Sequence, residues 1–165
     1  RSRGLGDVYK RQGVTGHMEK LVKVAVDAMG GDNAPGEIVK GAVEAVQRRD
    51  DIKILLTGKE EVLKKELSAY TYPKEQIEIV NATEVIETAE PPVKAIRGKK
   101  DSSIVVAMKM VKKGEADAFV SAGSTGAILV GGQFVVGRIK GVERSPLAPL
   151  IPTATGVSLL SLIHI

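Results

Sequence analysis

Leu21-Val22-Lys23-Val24-Ala25-Val26 runs directly into Asp27-Ala28-Met29-Gly30-Gly31-Asp32-Asn33-Ala34-Pro35-Gly36, and then into the amphipathic stretch from Glu37 to Arg49. The first run is short and valine-rich, as strands are. The second is turn-forming, and the third places Ile38, Val39, Ala42, Val43 and Val46 on one helical stripe. Pro35 suits the first turn of that helix, where its missing N–H leaves no bond unmade. A strand, a glycine-rich turn and a helix in that order open a βαβ unit.

The alternation continues downstream. Ile52 to Leu56 reads as a second strand closed by Thr57-Gly58, and Lys59 to Tyr70 as a charged helix with Val62, Leu63 and Leu67 inward. Ile77 to Val80 is a third short strand. Asn81 to Pro92 is polar and broken by Pro91-Pro92, so it reads as a loop with room for a helical turn. Ser102 and Ser103 can cap a helix through Lys113 whose apolar positions are Ile104, Val105, Met108 and Val111. Lys112 and Lys113 oppose the negative end of its dipole, and Gly114 stops it. Ala118 to Ser121 is a fourth strand, Gly123-Ser124-Thr125-Gly126 opens a helix reaching Gly137, and Gly156 to Leu160 begins a fifth strand. Such alternation implies right-handed crossovers and a doubly wound, mostly parallel sheet with helices on both faces, an α/β sandwich of three layers.

Composition agrees. The 165 residues are 43% hydrophobic and 27% charged, with 18 Gly and 7 Pro, which suits one globular domain and excludes collagen-like or disordered polymers. The absence of Cys excludes disulfides, cysteine-ligated zinc, iron–sulfur clusters and thiol catalysis. The longest strongly apolar stretch, Gly126 to Gly137, is interrupted by Gly131, Gly132 and Gln133 and is shorter than the roughly 20 residues of a spanning helix. The net charge of +4 is concentrated before Met18, where Arg1, Arg3, Lys10 and Arg11 face only Asp7. That segment has no periodicity. Its Asp7-Val8-Tyr9-Lys10-Arg11-Gln12, like the terminal Ser161-Leu162-Ile163-His164-Ile165, resembles translated sequencing-adapter read-through. We therefore expect residues 1–17 and 161–165 to be non-native and 18–160 to be one part of an α/β domain. His17 and His164 fall outside it, so Met18 to Leu160 holds neither His nor Cys. Near-neutral charge and only Tyr70, Tyr72, Phe119 and Phe134 as aromatics disfavour nucleic-acid binding.

Ligands of open α/β sheets bind beyond the carboxyl ends of the strands. Two loops there carry candidate chemistry. In Asp27-Ala28-Met29-Gly30-Gly31-Asp32 the paired glycines allow close backbone approach to a ligand, and the aspartates can orient basic groups, water or a metal. The same residues also make a plain tight turn whose aspartates cap the next helix. In Ser121-Ala122-Gly123-Ser124-Thr125-Gly126-Ala127, free N–H groups at a helix start and small hydroxyls suit an anion, or simply a capped helix with small packing residues. Neither loop is a Rossmann fingerprint or a P-loop, so ATP hydrolysis is disfavoured. Arg97 and Lys100 precede Ser102-Ser103, a mixture suited to oxyanions, while Arg138, Lys140 and Arg144 follow the later helix.

Val26-Asp27-Ala28-Met29-Gly30-Gly31-Asp32-Asn33-Ala34-Pro35, Lys100-Asp101-Ser102-Ser103, Ser121-Ala122-Gly123-Ser124-Thr125-Gly126-Ala127 and Gly137-Arg138-Ile139-Lys140-Gly141-Val142-Glu143-Arg144, in that order, resemble the bacterial phosphate acyltransferase family. Ser145 departs from the family's usual Arg-Pro, and Ser124 stands where many relatives carry Asn. The likeness runs from Met18 to Leu160 and covers the family's N-terminal half. It implies transfer of a long-chain acyl group from acyl-carrier protein to inorganic phosphate for phospholipid synthesis, without cofactor or metal. It also implies a homodimer when full length, in the cytoplasm, with peripheral contact at the inner membrane face, and an inactive fragment in isolation. On this resemblance phosphate lies against Gly30, Gly31, Ser121, Gly123, Ser124, Thr125 and Gly126. Arg97 or Lys100 neutralises charge, Asp27 and Asp32 orient the cations or the phosphate proton, and Arg138, Lys140 and Arg144 meet the carrier protein or acyl donor. A short-chain, coenzyme-A-dependent phosphate acyltransferase and a non-catalytic phosphate- or protein-binding α/β module are the alternatives.

Overall fold

A computed structural model describes residues 21–143, 145, 150–153 and 156–159. Four strands, β1 (Val22–Asp27), β2 (Ile52–Gly58), β3 (Ile77–Asn81) and β4 (Ala118–Val120), form one sheet in the order β3-β2-β1-β4. All of its pairings are parallel, with Val22 opposite Ile52, Ile54 opposite Ile77 and Val24 opposite Ala118. Parallel strands covered on both faces read as continuous apolar runs, and β2 is buried from Ile54 through Gly58.

Helices cover both faces, as expected for an α/β sandwich. On one face, α1 (Gly36–Arg48) sets Val39, Ala42, Val43 and Val46 against Ile54 and Leu56, with Leu63 and Leu67 of α2 (Glu60–Leu67) completing the core. On the other, α4 (Ser103–Lys113) lays Ala107 over Ala25 and Leu55. Its Ile104, Val105 and Met108 pack with Ile96 of α3 (Pro92–Gly98) and Ala127 of α5 (Thr125–Gly131). The Ser102 hydroxyl caps α4 by accepting the Val105 N–H, and Gly114 ends it at φ +73°.

Three details differ from the sequence expectation. The segment read as a loop ends in α3, with Pro92 at the first helical position, where a proline is tolerated. The helix from Thr125 gives way at Gly132 to a wider π-type turn through Val136, closed by the Gly137 N–H donating to Gly132 O. The strand expected from Gly156 exists as β6 (Gly156–Leu159). It pairs antiparallel with β5 (Leu150–Thr153) in a separate two-stranded sheet instead of extending the parallel one. The terminal segments expected to be non-native lie outside the described residues. Among the described residues, no helix is long and apolar enough to cross a membrane.

The connections around α3 are cross-tied. Asp101 Oδ2 accepts both the Thr83 hydroxyl at 2.6 Å and the Thr83 N–H at 3.0 Å, while the Asp101 N–H donates to Glu84 Oε2. The Thr83 hydroxyl, seconded by its N–H, holds the Asp101 carboxyl below the ordinary aspartate value. A carboxyl depressed on folding contributes stability that is complete above its unfolded pKa, about 3.9. That contribution is lost as pH falls through the lower folded value. The melting-temperature advantage of the native chain over Asp101→Asn should therefore be constant from pH 7 to about 4 and shrink in more acidic buffer. Thermal melts of both proteins from pH 7 to 2 check this. An advantage that grows on acidification would contradict the tie.

Candidate functional site

The chain order β1, β2, β3 runs outward on one side of β1, and β4 then returns to its other side. The strand order thus reverses between β1 and β4, and crevices at such switch points are where open α/β sheets hold ligands. The glycine loop after β1 and the serine loop after β4 leave the sheet side by side at this point.

Asp27, the last residue of β1, ties them together. It is fully buried, and its Oδ2 accepts the Ser121 hydroxyl at 2.7 Å across 94 positions of sequence. Ser121 Oγ in turn accepts the Gly123 N–H at 2.9 Å, and Asp27 Oδ1 accepts the Met29 N–H at 3.2 Å. The carboxylate therefore lies behind Ser121, and both polar functions of that hydroxyl are committed to holding the loops.

The glycines are required by contact as well as by turn geometry. A Cβ on Gly30 would stand 2.2 Å from Asp27 Oδ2 and 2.9 Å from the Gly123 Cα. A Cβ on Gly123 would meet the same carboxylate and the Gly30 Cα at 3.2 Å. Gly31, at φ +112°, presses on Ala122 and uses a backbone conformation that side chains disfavour. Asp32 sits exposed on the far part of the turn.

Beyond Gly123, Ser124 is buried and spends its hydroxyl on the Ala127 N–H at 3.3 Å. Thr125 is exposed at the start of α5, and Gly126 lies against the Pro92 ring. The Thr125 and Gly126 N–H groups belong to the first turn, which has no intrahelical acceptors. The result is a cradle of backbone donors and one free hydroxyl over a rigid, buried anchor.

Asp27, Gly30, Gly31, Ser121, Gly123, Ser124, Thr125 and Gly126 thus share the switch point. The basic candidates lie elsewhere. Arg97 is exposed with its guanidinium 5.6 Å from the centre of the Phe134 ring. Phe134 is eight residues beyond Gly126, about 12 Å along a helical path. Lys100 is exposed and lines the same groove as Arg97. Arg138 and Lys140 are exposed after the π-type turn, with Arg138 donating to Glu143 O, and Arg144 lies outside the described residues. Lys99, in the same basic cluster of sequence as Arg97 and Lys100, is the cation locked into the framework, donating to Val85 O and Glu90. That bond, with a second from the Glu87 N–H, holds the Glu90 carboxyl below its ordinary value.

Sequence reasoning missed Thr57. It is fully buried at the end of β2, opposite Asp27 in register, and its hydroxyl lies 3.1 Å from Val26 O and 3.0 Å from Ser103 O. It pins the start of α4 to the strand ends beside the cradle. A hydroxyl closing the apolar run Ile54-Leu55-Leu56 of a central strand was the signal available. Among the described residues, no group of three or more His, Cys, Asp and Glu is placed to hold a metal ion.

An open parallel sheet flanked by helices, with the loops after β1 and β4 interlocked at its switch point, defines a class, the α/β sandwiches. Within it, residues 22–162 match the family described as fatty acid synthesis protein, and the chain belongs to that family. It is 54% identical over 135 residues to the phosphate acyltransferase of Clostridium beijerinckii, covering 82% of this chain and 40% of that protein. Against the phosphate acyltransferase of Alkaliphilus oremlandii it is 53% identical over 139 residues, 84% of this chain and 41% of the relative. Against that of Clostridium botulinum it is 56% identical over 131 residues, 79% and 39%. The chain spans about two fifths of the length of these curated relatives.

Proposed function

We propose that this chain is the phosphate-holding part of an acyltransferase that moves a long-chain acyl group from acyl-carrier protein to inorganic phosphate, giving an acyl phosphate for phospholipid synthesis. The interlock of the two loops through Asp27, Ser121 and Gly123 is the observation that carries the proposal. It fixes a set of backbone donors at the ligand-binding end of the sheet before any ligand arrives.

Phosphate is largely dianionic near neutral pH and is itself the nucleophile. One of its oxygens attacks the thioester carbonyl, a C–O bond forms, the C–S bond breaks and the thiolate leaves. The protein then has two tasks, to align the reactants and to stabilise the oxyanion that develops on the carbonyl. Gly30, Gly31, Ser124, Thr125 and Gly126 receive phosphate through backbone N–H groups and the Thr125 hydroxyl, while Gly123, its N–H held by Ser121 Oγ, lines the cradle as a residue without a side chain. Asp27 orients Ser121 and braces the loops from behind, while exposed Asp32 at the loop tip orients the phosphate proton. The exposed Arg138 and Lys140 meet the carrier protein or an anionic part of the acyl donor. We extend the proposal to a cytoplasmic homodimer of full-length chains touching the inner face of the membrane, as the family resemblance implies.

In a full-length counterpart, Thr125→Val should lower phosphate-dependent acyl-phosphate formation about 100-fold or more, the usual cost of deleting a donor to a reacting anion. Asp27→Ala should do the same by loosening both loops. Competition between acyl-carrier-protein thioester and acetyl-coenzyme A fixes the donor. Unchanged rates in both variants would overturn the site, and preference for acetyl-coenzyme A would overturn the long-chain donor.

A further inference from the structure

Arg97, Lys100, Lys109 and Lys112 line one open groove of about 560 Å³ together with Val135 and the exposed Phe134. The four cations come in pairs spaced three residues apart, Arg97 with Lys100 at the end of α3 and Lys109 with Lys112 along α4. Five other lysines close onto carboxylates: Lys53 on Glu78 at 2.7 Å, Lys64 on Glu60 at 2.6 Å, Lys40 on Glu37 and Lys113 on Glu115 each at 3.6 Å, and Lys99 on Glu90. Among the described residues, none of the four groove cations forms a salt bridge. The neighbouring acid, Asp101, is turned to Thr83 instead. Two of the cations are held in place: Lys109 Nζ donates to Lys100 O at 2.7 Å, and Arg97 stacks over Phe134.

We propose that this groove docks an acidic protein helix, with carboxylates flanking an apolar ridge. Cations from α3 and α4 beside the exposed Phe134 ring complement such a helix, the arrangement by which grooves take amphipathic helices. The groove is too wide, and its cations too exposed, to enclose a small oxyanion. The identity of the partner as acyl-carrier protein rests on the function proposed above. The groove would then hold the carrier while the cradle at Gly30 and Thr125 holds phosphate.

The test titrates the 165-residue chain, isotopically labelled, with acyl-carrier protein. Parallel titrations use inorganic phosphate and vesicles of phosphatidylcholine with phosphatidylglycerol. The paired substitution Lys109→Glu with Lys112→Glu is compared with Lys65→Glu and Lys74→Glu, which change net charge equally on exposed positions outside the groove. Carrier protein should shift the groove amides. Its affinity should fall about tenfold or more in the groove variant and less than about twofold in the control, and it should weaken with added salt. Equal weakening in both variants, no binding of the carrier by the native chain, or engagement of the groove by vesicles in place of the carrier would each overturn the proposal. Phosphate shifts at Gly30, Gly31 and Thr125 that persist in the groove variant keep the function proposed above standing even where the groove proposal falls.

Discussion

Gly30→Ala is expected to destabilise the chain by about 1–3 kcal/mol, the usual cost of forcing an extra methyl into a closed-packed site. The added carbon would stand 2.2 Å from Asp27 Oδ2 and 2.9 Å from the Gly123 backbone. Neither neighbour is the far end of a flexible side chain. Asp27 is fully buried and held by Ser121 and Met29, and Gly123 is main chain. Relief requires parting the two loops, which breaks the hydrogen bond that closes the cradle. Stability and phosphate binding should therefore fall together. By contrast, a Cβ on Gly41 of α1 meets nothing within 4 Å, so Gly41→Ala should stabilise through helix propensity. Urea unfolding of both variants checks the pair. A neutral Gly30→Ala would mean that the loops are not locked as described.

Asp27→Ala carries the second large effect. It removes a fully buried carboxylate that accepts from the partly buried Ser121 hydroxyl and Met29 N–H. Leaving such groups without partners costs about 1–3 kcal/mol. Asp27→Asn keeps the shape and one oxygen, so it should recover part of that loss while still disturbing the loop geometry. Midpoints of denaturant unfolding at unchanged slope give both numbers. A loss below about 0.5 kcal/mol in Asp27→Ala would place it among ordinary surface substitutions.

The first βα unit was legible because valines, paired glycines and an i, i+3, i+4 stripe follow one another without interruption. The helix α3 was not. Pro92 to Gly98 is too short to show a stripe, and it is held by tertiary contacts, with Ala95 and Ile96 buried and Pro92 against Gly126. The two site loops could be read from composition, but not the bond between Asp27 and Ser121, since nothing local marks partners 94 positions apart. Nearness in sequence to Ser102 groups Arg97 and Lys100 with the oxyanion site. The structure sends them to the Phe134 side of α3 and α4, because a helix end fixes which way a neighbouring side chain leaves it.

The proposed phosphate site between the glycine loop after β1 and the serine loop after β4 has a direct signature. Titrating inorganic phosphate into the isotopically labelled chain should shift the amides of Gly30, Gly31, Thr125 and Gly126 saturably, and Thr125→Val should weaken that response. Shifts confined to Arg97, Lys100, Lys109 and Lys112, or no saturable shift at the cradle, would contradict it.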